Sequence, residues 1–461
     1  MLKVKYEMDL TEGPVYKQLL IFALPVLFTG VLQQLFNTAD QIVAGKLVSD
    51  TALAAVGSTA EIFNLFTTLF IGLSTGLTVS CAKHKGADDT EGVKKSIGTG
   101  IILAFISGAI LVLVGETLCR MMLDLISTPK EVYEYSELYM RIIFAGVPFH
   151  ILYNFGAGIL RANGDTRRPM YLLALGGVIN VILNVSLVLL LPEELGDKRV
   201  MGVAIGTVAS NLFASIGVVI ILIKSTGVFR LEKKYFHLYK EPVVEILKTG
   251  IPTGLGGIAY SIANIIIIKN INQFGKDALA GNTSANSIFV YIWHWMNAFK
   301  IAAISFAGQC FGAGKYKRIS EATRKATLVT AIGVVVLGGA ALLFSDQLLH
   351  LFISGDEALQ YGRISLYVFA ISYIIFVPTM ILSGTLSGVE RSTLTMVLNL
   401  ALICGVRLIW IFVFVPLDPT FLMLFLSYPI SWFFAGVAHL FAYVYVAKKF
   451  GKDKVSLLKT E

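Results

Sequence analysis

The sequence predicts an all-α membrane protein with about twelve transmembrane helices in two six-helix bundles. Of its 461 residues, 56% are hydrophobic and only 15% are charged. Mean hydropathy is +0.74, and apolar runs of about 20 residues, the length of a membrane-spanning helix, recur from end to end. Soluble domains carry more charge and lack such runs. These observations indicate a multi-pass membrane protein.

Hydropathy places six spans in each half of the chain. The first six predicted spans are 17–45, 53–80, 93–115, 131–157, 168–191 and 201–224. The second six are 242–270, 279–310, 320–345, 357–386, 393–416 and 420–447. We therefore expect an N-lobe over residues 1–224 and a C-lobe over residues 242–461. The basic linker between them, residues 225–241, contains tyrosine and phenylalanine, which favour an interfacial helix.

The distribution of lysine and arginine predicts the orientation in the membrane. With the N-terminus inside, the cytoplasmic segments and tails hold 27 of the 38 basic residues, and the outer loops hold 8. Cytoplasmic loops retain such an excess of positive charge. We expect both termini in the cytoplasm and the protein in the cell (inner) membrane. The net charge of +8 reflects this asymmetry, so we expect no nucleic-acid partner.

The second half of the chain repeats the first. The segment GILRANGDTRRPM at 158–170 lies over GTLSGVERSTLTM at 384–396, a displacement of 226 residues. Within one residue, the same displacement places Pro25 over Pro252. Each copy has an even number of spans, so the copies are expected to be related by a pseudo-twofold along the membrane normal. Two such halves around a cleft are the architecture of an alternating-access transporter.

The sequence contains no motif for enzymatic or ATP-driven chemistry. The segment from Gly312 to Lys315 lacks the upstream glycine spacing of a Walker A loop and the Ser or Thr after its lysine. An HExxH motif and paired intramembrane carboxylates are absent from the sequence, and the four cysteines have no metal-ligand spacing. We expect no enzyme activity, no cofactor and no metal other than a coupling ion.

The first predicted span contains one carboxylate, Asp40, about 9 Å below its outer end at about 1.5 Å per residue. A charge inside a membrane costs roughly 2.5–3.5 kcal/mol, which makes Asp40 a candidate functional residue. Asn180 and Asn184, one turn apart on span 5, are placed at a similar level, as is Thr207 on span 6. These oxygens suit a small hard cation such as Na+, and burial without a metal would let Asp40 carry a proton instead. Two alternatives stay open: Asp40 caps the helix end, and the other three residues only bond helices together.

Several motifs resemble the multidrug and toxic compound extrusion (MATE) family. They are DQIVAG from Asp40, ALAAVG from Ala52, GILRANGDT from Gly158 and GQCFGAGK from Gly308. The resemblance covers essentially the whole chain and is closer to the DinF-like prokaryotic branch. It implies export of amphipathic, often cationic compounds in exchange for Na+ or H+. It also implies a cation site built from one residue of span 1, two of span 5 and one of span 6. In this sequence those positions are Asp40, Asn180, Asn184 and Thr207.

This sequence departs from the family pattern in both halves. Many members have aspartate where Asn184 stands, so this site has one formal negative charge fewer. Some branches place carboxylates in the second half, where this chain reads Tyr260, Phe289 and Phe376. We therefore exclude coupling through acids of the second lobe. Lys300 replaces a residue that is usually small or aromatic. It either faces the cleft, where it repels cations or favours anions, or it snorkels or pairs with a carbonyl.

Six polar or basic residues inside the spans are candidates for contact with substrate. They are Gln34, Asn37, Asn154, His294, Lys300 and Arg407. An aromatic group close to Lys300 either stacks on a ligand, faces lipid or packs inside the protein. Its members are Tyr291, Trp293, Trp295 and Phe299.

The sequence therefore predicts a monomeric, cation-coupled (Na+ or H+) antiporter that exports amphipathic, often cationic small molecules by alternating access. The alternative within transport is a flippase or exporter of lipid-linked saccharides or other amphipathic anionic substrates. Basic residues in the cleft, which Lys300 and Arg407 would supply, favour that alternative. The expected partners are the small-molecule substrate and the lipid bilayer.

Overall fold

The fold is built from long helices, as the apolar runs predict. The computed structural model describes residues 6–126 and 128–457, and within these ranges it contains no β-strand. In the first half the helices are α1 (Val15–Val43), α2 (Asp50–Gly86), α3 (Thr90–Leu125), α4 (Lys130–Ala162), α5 (Arg167–Leu190) and α6 (Val200–Lys224). The second half begins with α7 (Lys240–Ile271), α8 (Lys276–Gly312), α9 (Tyr316–Leu343), α10 (Ser345–His350) and α11 (Asp356–Gly388). It ends with α12 (Ser392–Leu398), α13 (Val406–Ile409), α14 (Phe421–Phe425) and α15 (Ser427–Leu457). The all-α fold class is confirmed.

Eleven helical segments of the described chain are long and apolar enough to cross a membrane. The twelfth long helix, α8, has 37 residues, which is ample length for a span, but it is more polar than the others. Its predicted span 279–310 contains Asn282, Asn286, His294 and Lys300. The predicted number of about twelve spans therefore holds, with α8 as the polar member.

Regular α-helix gives way to π-helical turns at two places. A π-helical turn, Ala44–Val48, follows α1, four residues beyond Asp40. The span corresponding to residues 393–416 is interrupted twice, by the π-helical turns Asn399–Gly405 and Trp410–Phe414 on either side of the short α13. Single π-helical turns inside α-helices are rare and occur frequently at functional sites. Both places lie next to a charged residue of the predicted site list.

Contacts divide the chain into two compact units. Unit 1 contains Phe28–Gly254 together with the described residues before Leu10. Unit 2 contains Leu10–Leu27 together with the residues from Leu255 onward. The first halves of α1 and α7 therefore belong to the unit formed mainly by the other half of the chain. The predicted lobes follow the sequence repeat instead, and their bounds stay a prediction.

The first half of α7 packs against α2 inside unit 1 through facing glycines. A Cβ atom added at Gly76 of α2 would overlap the carbonyl oxygen of Ile246 and lie 2.9 Å from the backbone nitrogen of Gly250. Backbone atoms cannot move aside as a flexible side chain does. Small residues allow this close approach, as they do at other helix crossings in membranes.

We expect Gly76→Ala to destabilise the protein by about 1–3 kcal/mol, because the added methyl group overpacks a backbone contact. The matched control is Gly57→Ala on the same helix, where a new Cβ meets nothing within 4 Å. Alanine in an exposed helix position is favoured over glycine by roughly 0.5–1 kcal/mol, so this control is expected to be neutral or stabilising. Thermal unfolding of both purified variants in detergent measures the difference. Equal melting temperatures would contradict the tight crossing.

The linker does not form the predicted interfacial helix. Between α6 and α7 the chain contains a single 3-10 turn, Lys233–Tyr235. The Thr99 hydroxyl of α3 donates to the carbonyl of His237 at 3.1 Å and accepts from the backbone nitrogen of Tyr239 at 3.2 Å. Lys94 of α3 pairs with Glu232 at 2.8 Å. The backbone groups of the linker thus find partners on α3, so the aromatic residues did not require a helix there.

Candidate functional site

Asp40 lies near the end of α1 and is only 6% exposed. Its Oδ1 accepts a hydrogen bond from Asn184 Nδ2 at 2.5 Å, and its Oδ2 accepts one from the Thr207 hydroxyl at 3.0 Å. Asn180 Nδ2 donates to the same hydroxyl at 3.1 Å. The four residues predicted for the cation site therefore lie together, and we call them the Asp40 cluster. Its carboxylate bonds side chains of α5 and α6, so Asp40 does not cap its own helix.

The sequence of α5 and α6 explains how these side chains meet. Asn180 and Asn184 lie on one face of α5 because residues four apart align along a helix. On α6, Gly206 precedes Thr207, and a Cβ atom at Gly206 would overlap Asn184 Oδ1. The missing side chain allows α6 to approach the Asn184 amide and brings the Thr207 hydroxyl within reach of Asp40.

Apolar residues enclose the cluster. Val43 of α1, Val188 of α5 and Val203 of α6 are buried in one hydrophobic cluster with Tyr139 of α4. The buried Tyr139 is close enough to Asp40 to interact with its charge. Low-dielectric surroundings strengthen electrostatic interactions and make an uncompensated charge costly. A cation or a proton that reaches Asp40 is therefore held strongly.

Two oxygens of the Asp40 cluster are unpaired. The carbonyl oxygens of Asn180 and Asn184 are buried and have no hydrogen-bond partner among the described residues. An unsatisfied buried acceptor costs about 1–3 kcal/mol, so a pair of them needs a compensating role. Carboxylate, amide and hydroxyl oxygens are the ligands that hard cations prefer. The cluster therefore has the donor set for a cation such as Na+.

The amide orientations, which are assigned from the hydrogen-bond network, fit this role. With nitrogen facing Asp40, the Asn184 amide stabilises the negative carboxylate directly. Turned about its Cβ–Cγ bond, the same amide would bring its carbonyl oxygen toward the carboxylate. That arrangement is favourable only with a positive charge between the two oxygens. Amide rotation therefore lets the Asp40 cluster alternate between hydrogen bonding and cation binding.

The second unit contains a buried charge of the opposite sign. Arg407 of α13 is 0% exposed, and its Nη1 donates to Asn264 Oδ1 of α7 at 3.1 Å. Its guanidinium lies over the rings of Tyr428 at 4.4 Å, Tyr260 at 5.7 Å and Trp432 at 5.8 Å. The structure thus buries this predicted substrate-contact residue in a cage of aromatic rings.

The aromatic residues of the second half form a stack around Arg407. Tyr260 stacks on Trp293, Trp293 on Phe376, and Phe376 on Trp432, with ring centroids 4.4–6.0 Å apart. Tyr260 and Phe376 occupy positions where carboxylates stand in some branches of the resembled family. Of the remaining aromatic group, Phe299 is buried, the Trp295 indole donates to the Thr330 carbonyl, and Tyr291 is exposed. Packing inside the protein therefore accounts for most of this group.

The other five candidates for substrate contact do not share one site. Lys300 is half-buried beside Gly384, within electrostatic range of His439, and has no ion-pair partner among the described side chains. His294 Nε2 is buried without a partner. The remaining three lie in unit 1: Gln34 is half-buried, Asn37 is exposed, and the Asn154 amide bonds the His150 carbonyl at 2.9 Å. Their contact with substrate stays a prediction.

Sequence reasoning missed a buried ionic network between α2 and α7. Glu245 accepts hydrogen bonds from Ser80 and Lys83, each at 2.7 Å, and lies 3.2 Å from His84 Nε2. His84 Nδ1 in turn lies 2.8 Å from Asp89 at the start of α3. Charges at the ends of predicted spans are ordinarily solvated, so the sequence gave no reason to pair them. The network ties the first half of α7 to α2 and α3.

Repeated sets of apolar helices with charged clusters buried inside them define a multi-pass membrane transporter rather than an enzyme. Comparison with known proteins then identifies the family. The MatE family model matches residues 25–186 and again residues 252–413. The chain therefore belongs to the MATE family of multidrug efflux transporters, as the motifs predicted. Because one model matches twice, 227 residues apart at both ends, the internal repeat is confirmed.

Curated relatives and solved structures agree with this assignment. The chain is 28% identical to the probable multidrug resistance protein YoeA of Bacillus subtilis over 404 residues, 86% of each chain. It is 24% identical over 383 residues to the DNA damage-inducible protein F of Escherichia coli, covering 82% of this chain and 81% of that protein. Its fold superimposes on a MATE transporter crystallised with MaL6, with a TM-score of 0.88 and 22% identity over 96% of this chain and 98% of the other.

Proposed function

We propose that the protein is a cation-coupled antiporter that exports amphipathic, often cationic small molecules by alternating access. The observation that carries this proposal is the Asp40 cluster, with its buried carboxylate and its two unpaired carbonyl oxygens. The printed names of relatives such as YoeA support the substrate class. We further propose that the protein acts as a monomer in the cell (inner) membrane with both termini in the cytoplasm.

The Asp40 cluster supplies a mechanism by which an ion gradient drives export. Asp40 fastens α1 to α5 and α6 through Asn184 and Thr207. A cation that takes over the carboxylate removes the need for these hydrogen bonds, so α1 repacks against the two helices. A cation drives such a change only if it binds the outward and inward states with different affinity. Release of the cation into the cytoplasm then restores the ionised carboxylate.

Sodium is the coupling ion that the geometry favours. A proton needs one acceptor, which the Asp40 carboxylate provides alone. Na+ needs several oxygens, and the unpaired Asn180 and Asn184 carbonyls supply ligands that a proton would not use. Proton coupling is the second candidate, because a carboxylate buried among apolar residues favours its protonated form. The flippase alternative lacks such support, since the listed relatives are named as multidrug resistance proteins.

Efflux of ethidium, a fluorescent amphipathic cation, from expressing cells tests this function with external sodium and pH varied independently. Sodium coupling predicts that efflux rises with external sodium at constant pH and persists when the pH gradient is removed. Proton coupling predicts the reverse dependence. Efflux that follows neither ion, in cells where the protein is present in the membrane, would contradict the proposed function.

A further inference from the structure

Arg407 is a buried cation without a matching anion. Its guanidinium stays protonated in proteins, so burial cannot be relieved by loss of the charge. Nη1 bonds Asn264, whereas Nε and Nη2 are buried and have no partner among the described residues. The aromatic rings contact the face of the guanidinium but leave these two in-plane donors unpaired.

A third unpaired donor belongs to the same surroundings. Trp432, whose ring lies beside the guanidinium, is 0% exposed, and its indole Nε1 has no hydrogen-bond partner in the described chain. The described carboxylates of unit 2 all lie in loops, at helix ends or in exposed ion pairs. They are Glu12, Asp277, Glu321, Asp346, Asp356, Glu357, Glu390 and Asp418. Burying three N–H donors, one of them charged, without an acceptor is costly, so the site calls for an anion.

The internal repeat places Arg407 at the position of the cation site in the first half. A displacement of 227 residues, the spacing of the two family matches, puts Arg407 over Asn180. The same displacement puts Ile267 over Asp40, and Ile267 is fully buried. The second half has thus lost the carboxylate and gained a guanidinium at equivalent positions. The two halves carry buried sites of opposite charge.

We propose that Arg407 anchors an anion-binding site in unit 2, which takes the carboxylate, sulfonate or phosphate group of an aromatic amphipathic substrate. Arg407 binds such oxyanions through two parallel N–H donors, and Nε with Nη2 is one such pair. The stacked rings of Tyr260, Trp293 and Trp432 provide a surface for the aromatic body of the ligand. This inference rests on the proposed export function, because it names a class of substrate for the same transporter.

Access to the enclosed guanidinium requires movement of the helix that carries it. The π-helical turns Asn399–Gly405 and Trp410–Phe414 flank α13, and both depart from the regular α-helical hydrogen-bond pattern. Asn399, at the start of the first turn, has an unpaired buried Oδ1. These two turns are therefore the places where the span can open toward the site.

Three naphthalene probes of similar shape test the site by calorimetric titration of the purified protein in detergent. 1-Naphthoate carries the anion, 1-naphthamide is neutral, and 1-naphthylmethylammonium is a cation. We expect the wild-type protein to bind naphthoate at least about tenfold more tightly than naphthamide, as one charge-assisted hydrogen-bond pair provides. Arg407→Gln is expected to remove this preference, and Arg407→Lys, which keeps the charge without the planar fork, to retain part of it.

Further arms separate the competing outcomes. Equal affinity for naphthoate and naphthamide in the wild type, or an unchanged preference in a folded Arg407→Gln protein, would overturn the proposal. Inorganic phosphate that stabilises the protein while naphthoate does not would assign the site to a small ion and also overturn it. Asp40→Asn is expected to keep the naphthoate preference. Failure of ion-driven efflux therefore remains distinguishable from failure of the anion site.

Discussion

Replacing Asp40 with asparagine is expected to abolish gradient-driven efflux while leaving the protein folded and in the membrane. Asparagine has nearly the same shape, so its side chain still fits between α5 and α6. It cannot take up a proton, and it lacks the charge that attracts a cation. Loss of about 3 kcal/mol of cation binding would lower the coupled rate more than a hundredfold. Efflux of ethidium from proteoliposomes with an imposed sodium or proton gradient measures this effect.

The control for this variant is downhill movement of ethidium in the same proteoliposomes. We expect Asp40→Asn to exchange ethidium across the membrane without concentrating it, because the substrate still binds. Melting temperature and yield verify that the variant is folded. Full gradient-driven efflux by a well-folded Asp40→Asn protein would refute the mechanism based on the first half of the chain.

Asn184→Ala is expected to raise the sodium concentration needed for half-maximal efflux by about tenfold or more. The substitution removes both the 2.5 Å hydrogen bond to Asp40 and one of the two unpaired carbonyl oxygens. A hydrogen bond to a charged group contributes about 1.5–3 kcal/mol, which corresponds to at least about tenfold in affinity. If a proton is the coupling ion, the same variant shifts the pH dependence of efflux and leaves the sodium dependence flat.

A second pair of asparagines provides the matched control. Asn282 and Asn286 also lie one turn apart on a single helix, α8, and their side chains hydrogen-bond each other at 3.2 Å. Asn286→Ala removes an amide of the same size from the other half of the chain. We expect its half-maximal sodium concentration to equal that of the wild type. Equal shifts in the two variants would show that the effect of Asn184→Ala is not specific to the Asp40 cluster.

The first-half site could be predicted because its signals are local. One carboxylate within an apolar span, two asparagines at helical spacing and a threonine at matching depth required only hydropathy and the rise of a helix. The structure adds what spacing cannot give, namely which atom bonds which. The unpaired oxygens of Asn180 and Asn184 depend on amide orientations that no pattern in the sequence encodes.

The second-half site could not be predicted, because its partners are distant in sequence and chemically ordinary. Arg407 was selected only as a charge within a span. Asn264, Tyr428 and Trp432 looked like ordinary helix residues until the fold placed them around it. The linker failed for a related reason: its aromatic residues indicated an interface, but its backbone found partners on α3. Such long-range pairing is decided by tertiary packing.

Ion displacement from the purified wild-type protein on addition of substrate tests most directly whether the Asp40 cluster binds the coupling cation. Bound ²²Na+ is followed at constant pH, and proton release is followed in weakly buffered solution, while ethidium is titrated to saturation. The mechanism predicts that saturating ethidium displaces about one Na+ or one proton per protein, and that Asp40→Asn binds ethidium but displaces neither. Substrate binding without ion displacement in the wild type, or undiminished displacement in Asp40→Asn, would contradict it.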